Sequence, residues 1–155
     1  MTSKLKVTTE VPDEIQMTRT FDAPRRLVVK AMSTPELIKR WLGGVRATVL
    51  SVDVDFRVGG KYRYVLRANK GGHEFGFGGT YREISDERVV HSEAFDGYPG
   101  ESQVTTTFVE QAGKTTMTVT VRFESQAVRD AVLATGMANG AGESYDALET
   151  VLGSL

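Results

Sequence analysis

From residue 46 to residue 123 the chain alternates apolar and polar side chains with a period of two, and beyond Ser125 it changes to the longer period of a helix. The alternating part divides into ATVLSVDVDF, KYRYVLRA, HEFGFGGTYREI, ERVVHSEAF, SQVTTTFVEQ and KTTMTVTVRF, each patterned as a strand with one buried side. Short turn-rich segments separate them, among them Val58-Gly59-Gly60, Asn69-Lys70-Gly71-Gly72 and Gln111-Ala112-Gly113, and connections this short make the neighbours antiparallel. Upstream, IQMTRTFD (15–22) alternates as a first strand that Ala23-Pro24 ends. Two short helices follow, RRLVVKAMS with Leu27, Val28 and Ala31 inward and LIKRWLGG with Leu37, Ile38 and Trp41 inward.

The order strand, two helices, six strands, helix predicts an α+β fold in which a curved antiparallel sheet of about seven strands wraps around a long C-terminal helix. Ser125 to Leu152 reads as that helix, with Ser125 as its cap and Leu133, Met137, Ala141, Tyr145, Leu148 and Leu152 on one face. At 1.5 Å per residue it would run roughly 42 Å. Gly136, Gly140 and Gly142 lie inside it, each costing about 1 kcal/mol relative to alanine, so a kink or a close backbone approach is expected there. Residues 1–14 are polar, contain Pro12, and read as an extended arm before a single domain over 15–153.

Composition narrows the function classes. A net charge of −1 provides no electrostatic footprint for nucleic acid. No apolar run approaches the length of a membrane span and residues 1–14 lack the apolar core of a signal peptide, so a cytoplasmic protein is expected. The absence of cysteine excludes a disulfide framework, a thiolate zinc site and a thiol nucleophile, and with two histidines neither a metal site nor a cofactor is expected.

Pleat alternation puts Tyr62, Tyr64 and Leu66 on one face of their strand, Phe75, Phe77 and Tyr81 on one face of the next, and Met117, Val119, Val121 and Phe123 together on another. Such aromatic faces either pack against the helix as core or line a pocket in which tyrosine hydroxyls fix a ligand. His91 and Glu93 share a strand face with Val89 and Phe95. If that face is inward they form a buried acid/base pair able to enolise or dehydrate a carbonyl compound; in the opposite phase both are solvated. Gly76, Gly78 and Gly79 precede no Lys-Ser/Thr and no helix, so they read as a bulge or bend rather than a phosphate loop. Arg25-Arg26 and Lys39-Arg40 read as a solvated basic face.

Several ordered segments carry a family resemblance: Phe21-Asp22-Ala23-Pro24, Thr34-Pro35-Glu36-Leu37 running into Arg40-Trp41, residues 58–63, Gly79-Thr80-Tyr81-Arg82-Glu83-Ile84 with Glu87-Arg88-Val89-Val90, and 136–140 followed by 143–146. Together they resemble the bacterial branch of the activator of heat-shock-protein-90 ATPase homologue family, within the START-like (SRPBCC, helix-grip) superfamily. The resemblance implies a helix-grip fold enclosing an apolar cavity between sheet and long helix, in a superfamily of carriers, cyclases and co-chaperones. The chain departs from the family's pattern twice. Leu42-Gly43-Gly44 stands where a second tryptophan and Gly-Pro usually follow Trp41, and Ala141 stands where a tryptophan usually follows Gly140. Both departures remove bulk, which implies a roomier pocket.

Three readings follow. The first is a binding protein for a small hydrophobic or aromatic ligand, lined by Trp41, Tyr62, Tyr64, Phe75, Phe77, Tyr81, Met117, Met137, Ala141 and Tyr145. The second is a cofactor-independent cyclase, aldol or dehydratase-type enzyme using His91 and Glu93. The third, implied by the resemblance alone, is a co-chaperone-like interaction protein with a chaperone partner; a homodimer is compatible with any of the three.

Overall fold

The computed structural model describes residues 4–155. The chain runs β1 (Lys6–Thr8), β2 (Glu14–Phe21), α1 (Arg25–Ser33), α2 (Pro35–Trp41), β3 (Ala47–Val54), β4 (Lys61–Ala68), β5 (Glu74–Ile84), β6 (Arg88–Phe95), β7 (Ser102–Gln111), β8 (Lys114–Arg122), α3 (Gln126–Leu133) and α4 (Met137–Gly153). Eight strands form one sheet in the order β1-β2-β8-β7-β6-β5-β4-β3, with every neighbouring pair antiparallel. The expected helix-grip architecture is present, with one strand more than the expected seven or so. The extra strand comes from the arm, where Lys6 pairs with Thr18 and Thr8 with Gln16. Residues 1–3 of the arm lie outside the described residues.

The alternation sorts the two faces of the sheet. On β2 the inward Ile15, Met17 and Phe21 are buried, while the intervening threonines meet threonines of β8 on the outer face: Thr18 with Thr118 at 3.4 Å and Thr20 with Thr116 at 3.0 Å. β-Branched side chains suit a pleated surface and their hydroxyls remain solvated, so the outer face of β2, β8 and β7 needs no second layer. The two short helices form a V at the sheet's edge. Thr34, extended at φ −103° and ψ 117°, ends α1 and begins α2 with Pro35 as the first helical residue. The indole of Trp41 donates across the V to the Ala31 carbonyl at 3.0 Å.

The single helix expected over Ser125 to Leu152 is two helices. Ser125 does cap the first, its hydroxyl accepting from the Val128 amide at 3.2 Å. The break falls at Gly136, which sits at φ +80° and ψ 21° between α3 and α4. A left-handed residue cannot continue a right-handed helix, and glycine adopts that region without steric cost. The two pieces then serve different neighbours. In α3, Arg129 is buried and its Nη1 reaches the carbonyls of Thr9, Val11 and Glu14 at 3.1–3.2 Å, fastening the arm. In α4, Tyr145, Leu148, Val151 and Leu152 are buried against the sheet, each such burial stabilising by about 1.5–3 kcal/mol. Of the other glycines in this stretch, Gly140 has open space where a Cβ would stand and Gly142 has only Leu5 at contact distance, so neither marks a close approach.

The same substitution should therefore have opposite signs at two positions in this stretch. Gly136→Ala is expected to destabilise by about 1–2 kcal/mol because alanine is strained at that φ. Gly140→Ala, inside α4 with free space around it, should stabilise by about 0.5–1 kcal/mol. Denaturant unfolding of the two variants beside the parent checks both; equal effects would refute the hinge assignment.

Candidate functional site

α4 does not fill the concave face of the sheet. Beneath its N-terminal half lies a cavity of about 270 Å³, walled by the inner faces of β4 to β8, by α1 and Trp41 on one side, and by Met137, Ala141, Ser144 and Tyr145 above. An apolar cavity of about 150 Å³ already accepts a benzene, so this one has room for a body of one to two rings. A shallower depression of about 220 Å³ lies on the outside, between Arg82, Gln103 and Arg122, and has neither aromatic walls of comparable extent nor a buried ionisable group.

Of the residues expected to line a pocket, the structure brings together Trp41, Tyr62, Tyr64, Phe77, Tyr81, Met137, Ala141 and Tyr145. Phe75 and Met117 lie outside the cavity. Phe75 pairs with Leu66, at an end of β4 and β5 that the loop after α2 covers, Leu66 lying against Gly43. Met117 is fully buried in core between its strand partners Arg19 and Phe108. Sequence reasoning missed Met32 and Ser33 of α1, Phe56, Val104 and Thr106 as lining residues, and Leu42, tied to a roomier pocket only through its loss of bulk, lines the cavity too. The strand positions Val104 and Thr106 were reachable by alternation once the phase of β7 was known. Phe56 and Leu42 lie just beyond β3 and α2, in segments that the periodicity extends as strand and helix but that the structure leaves outside the regular elements.

The inward phase of β6 carries Val89, His91, Glu93 and Phe95. His91 and Glu93 are partly accessible residues of the chain, and the surface they retain lines the cavity. A local irregularity sets their orientation. The β5–β6 ladder pairs Gly78 with Ala94 and Tyr81 with His91 but skips the positions between. There the Thr80 amide donates to the Ser92 hydroxyl at 3.0 Å instead of to a ladder carbonyl. A Cβ on Gly79 would stand 1.9 Å from the Ser92 carbonyl oxygen, so this approach requires glycine. The released Ser92 carbonyl accepts from the Tyr62 hydroxyl at 2.9 Å and lies 2.9 Å from His91 Nδ1. A carbonyl only accepts, so Nδ1 carries the proton and Nε2 keeps the lone pair.

Aromatic rings enclose this group of polar atoms. The His91 ring meets Tyr62 edge-on at 4.8 Å and Tyr81 at 5.9 Å, and Tyr62 packs on Tyr64 at 5.1 Å. Phe77 stacks on Phe95 at 4.8 Å. Burial lowers the His91 pKa, keeping the imidazole neutral, and pushes the Glu93 carboxyl up to about 7. Tyr62, Tyr64 and Tyr145 are raised, first by burial and further by the Glu93 charge, and Tyr81 rises to about 12 by burial. The hydroxyls are therefore neutral donors. Among the described residues, the Glu93 carboxyl makes neither a side-chain hydrogen bond nor an ion pair, and no group of three or more metal-ligating His, Asp or Glu side chains converges anywhere.

A family model described as Activator of Hsp90 ATPase homolog 1-like protein matches residues 22–153. The chain belongs to that family. No curated protein matches the chain. Among solved structures, a protein from Rhodobacter sphaeroides is 25% identical with a TM-score of 0.92, over 99% of this chain and 100% of that one. A protein from Chromobacterium violaceum, 25% identical, has a TM-score of 0.77 over 90% of this chain and 97% of its own. An AHSA1-like protein from Aeromonas hydrophila, 20% identical with a TM-score of 0.65 over 90% and 92% of the two chains, shares the fold. Among the described residues of this family member, no helix is long and apolar enough to cross a membrane, a statement about helices only.

Glu93 makes the stability of this fold depend on pH in a direction opposite to that of a salt-bridged carboxylate. Between about pH 4.5 and about pH 7 the folded state holds a proton on Glu93 that the unfolded state has lost, so this group's contribution to stability falls as pH rises through that window. His91 acts with the opposite slope below its ordinary value near 6.5, since the unfolded chain then takes up a proton that the folded one refuses. Comparing Glu93→Gln with the parent isolates the carboxyl. The variant should match the parent near pH 4.5 and exceed it by about 2–3 kcal/mol above about pH 7, measured by urea unfolding across pH. A difference independent of pH would mean Glu93 ionises as if in water.

Proposed function

We propose that the protein binds a small apolar or aromatic ligand in the cavity between the sheet and α4. The observation that carries this reading concerns the two positions at which the chain departs from its family's sequence pattern. Leu42 and Ala141, both smaller than the tryptophans usual there, are far apart in sequence yet line the same cavity. Removing two indoles from a packed core would cost several kcal/mol if nothing occupied the space. A bound ligand recovers those contacts, and its affinity appears as stability by linkage. The walls suit such a guest, being aromatic with a few polar groups: the tyrosine hydroxyls, Ser33, Ser144, His91 and Glu93.

A second reading takes its support from the inward placement of His91 and Glu93. A neutral imidazole with a free Nε2 can remove a proton from carbon next to a carbonyl while a protonated carboxyl or a tyrosine hydroxyl donates to the developing oxyanion. A co-chaperone role, which the family description suggests, would need only the outer surface.

One substitution separates these readings. Ala141→Trp should fill the cavity, keep or raise the melting temperature, and abolish ligand binding. In native mass spectrometry the parent is expected to carry a small molecule that organic extraction removes and that the variant lacks. A parent that carries nothing, and whose melting temperature responds to hydrophobic probes no more than the variant's, would remove the binding reading. Turnover of a carbonyl compound that disappears in a folded His91→Ala protein would establish the enzymatic reading; turnover that survives would exclude it. An ATPase-stimulating function should be indifferent to Ala141→Trp.

A further inference from the structure

We infer that the ligand of the cavity is a cation, an amine or ammonium group on a small apolar or aromatic body, which Glu93 recognises as counter-ion and the surrounding aromatic rings as a cage. This rests on the cavity being a ligand site. The lining contains one carboxyl group and no lysine or arginine, so the charge of Glu93 has no internal partner. Elsewhere among the described residues the short carboxylate contacts follow the ordinary pattern, Asp146 with Arg19, Glu143 with Arg46 and Asp96 with Arg63. Glu93 has no such partner, and unlike Glu149, whose Oε1 is also buried without one, it faces a cavity large enough for a guest. A carboxylate drawn largely out of water without a partner is costly in proportion to its desolvation, and burial is what raises the Glu93 carboxyl. A complementary charge entering with the ligand would remove that cost in the complex.

The walls point the same way. Tyr62 and Tyr64 on β4 and Tyr145 on α4 lie close enough to Glu93 to feel its charge, and Tyr81 and Phe77 complete the ring on β5. The faces of such rings are negative and attract ammonium groups when desolvated. An anionic ligand would find no cationic side chain and a repelling carboxylate.

The titratable groups facing the site behave consistently with this assignment. Burial keeps His91 neutral, so it adds no competing positive charge near neutral pH, and the four tyrosines stay un-ionised. Glu93 itself, pushed up to about 7, would be returned to its ionised form by a bound ammonium. Binding below about pH 7 should therefore release a proton and weaken as the pH falls.

Three probes of one shape test this: phenethylamine, phenethyl alcohol and hydrocinnamate, titrated calorimetrically into the parent, Glu93→Gln and Ala141→Trp at about pH 8 and about pH 6. The expected result is that the amine binds the parent about tenfold or more tighter than the alcohol at the higher pH. That preference should shrink at the lower pH and vanish in Glu93→Gln, while the carboxylate does not bind. Alcohol or carboxylate binding as tightly as amine, blocked by Ala141→Trp, would overturn the cation assignment and leave the cavity reading standing. An amine preference surviving in Glu93→Gln would overturn the assignment too. Failure of all three probes to bind at millimolar concentration would overturn both.

Discussion

α4 is fastened over the concave face of the sheet at two places, and the shape of everything else follows from where those fastenings lie. At the first, the Gly43 amide donates to the Ser144 hydroxyl at 3.1 Å and Arg46 pairs with Glu143 at 2.5 Å, tying the loop after α2 to the middle of the helix. At the second, the buried Arg19 reaches Asp146 at 2.5 Å from β2, with its guanidinium 5.3 Å above the Phe21 ring. Beyond them the C-terminal half of α4 buries Leu148, Val151 and Leu152 in continuous core. Before them the N-terminal half ends at the left-handed Gly136, and Met137 and Ala141 roof a volume they do not fill. The molecule is thus a packed core at one end of the helix and a cavity at the other.

The cavity end carries costs that the core end does not. It holds a carboxyl without a partner, a neutral histidine, and a stretch where β5 and β6 lose regular pairing so that Ser92 can offer its carbonyl to Tyr62 and His91. Each of these works against stability: two largely buried ionisable groups and a gap in the ladder. Their coincidence at one place distinguishes this region from the rest of the sheet, where the polar side chains buried on the inner face have partners, Arg19 pairing with Asp146 and Thr115 donating to the Ala23 carbonyl. Groups that oppose folding persist where another requirement outweighs them, and a site for a guest supplies that requirement. The family's fold serves many tasks, so the argument for this chain rests on these side chains rather than on the architecture.

Much of the fold was legible in the chain because its information is periodic and local. The six strands from residue 46 onward announce themselves by alternation, the V of helices by Pro24, Pro35 and Trp41, and the cap of α3 by Ser125. The glycines near residue 136 signalled that the last helix could bend. They did not say which glycine would take the left-handed conformation, because three of them in one amphipathic stretch look alike until Arg129 finds the arm and Leu148 finds the sheet. The cavity was legible only as an aromatic face. Phe75 and Phe77 sit two residues apart on one side of one strand, yet only Phe77 meets the cavity, since what lies opposite each is decided by the loop after α2.

By itself the sequence determined the strands from β2 onward, the two short helices, their order, the antiparallel pairing and the family, since these depend on the period of apolar residues, on turn chemistry and on ordered motifs along the chain. The tertiary structure alone decided that His91 and Glu93 face inward, that Leu42 and Ala141 border one volume, and that the helix breaks at Gly136. A strand's two phases are equivalent until a helix covers one of its faces, and residues about a hundred positions apart become neighbours only when the sheet curves. The chemistry of the site lies in that second set of facts, in the charge left without a partner once the core has closed.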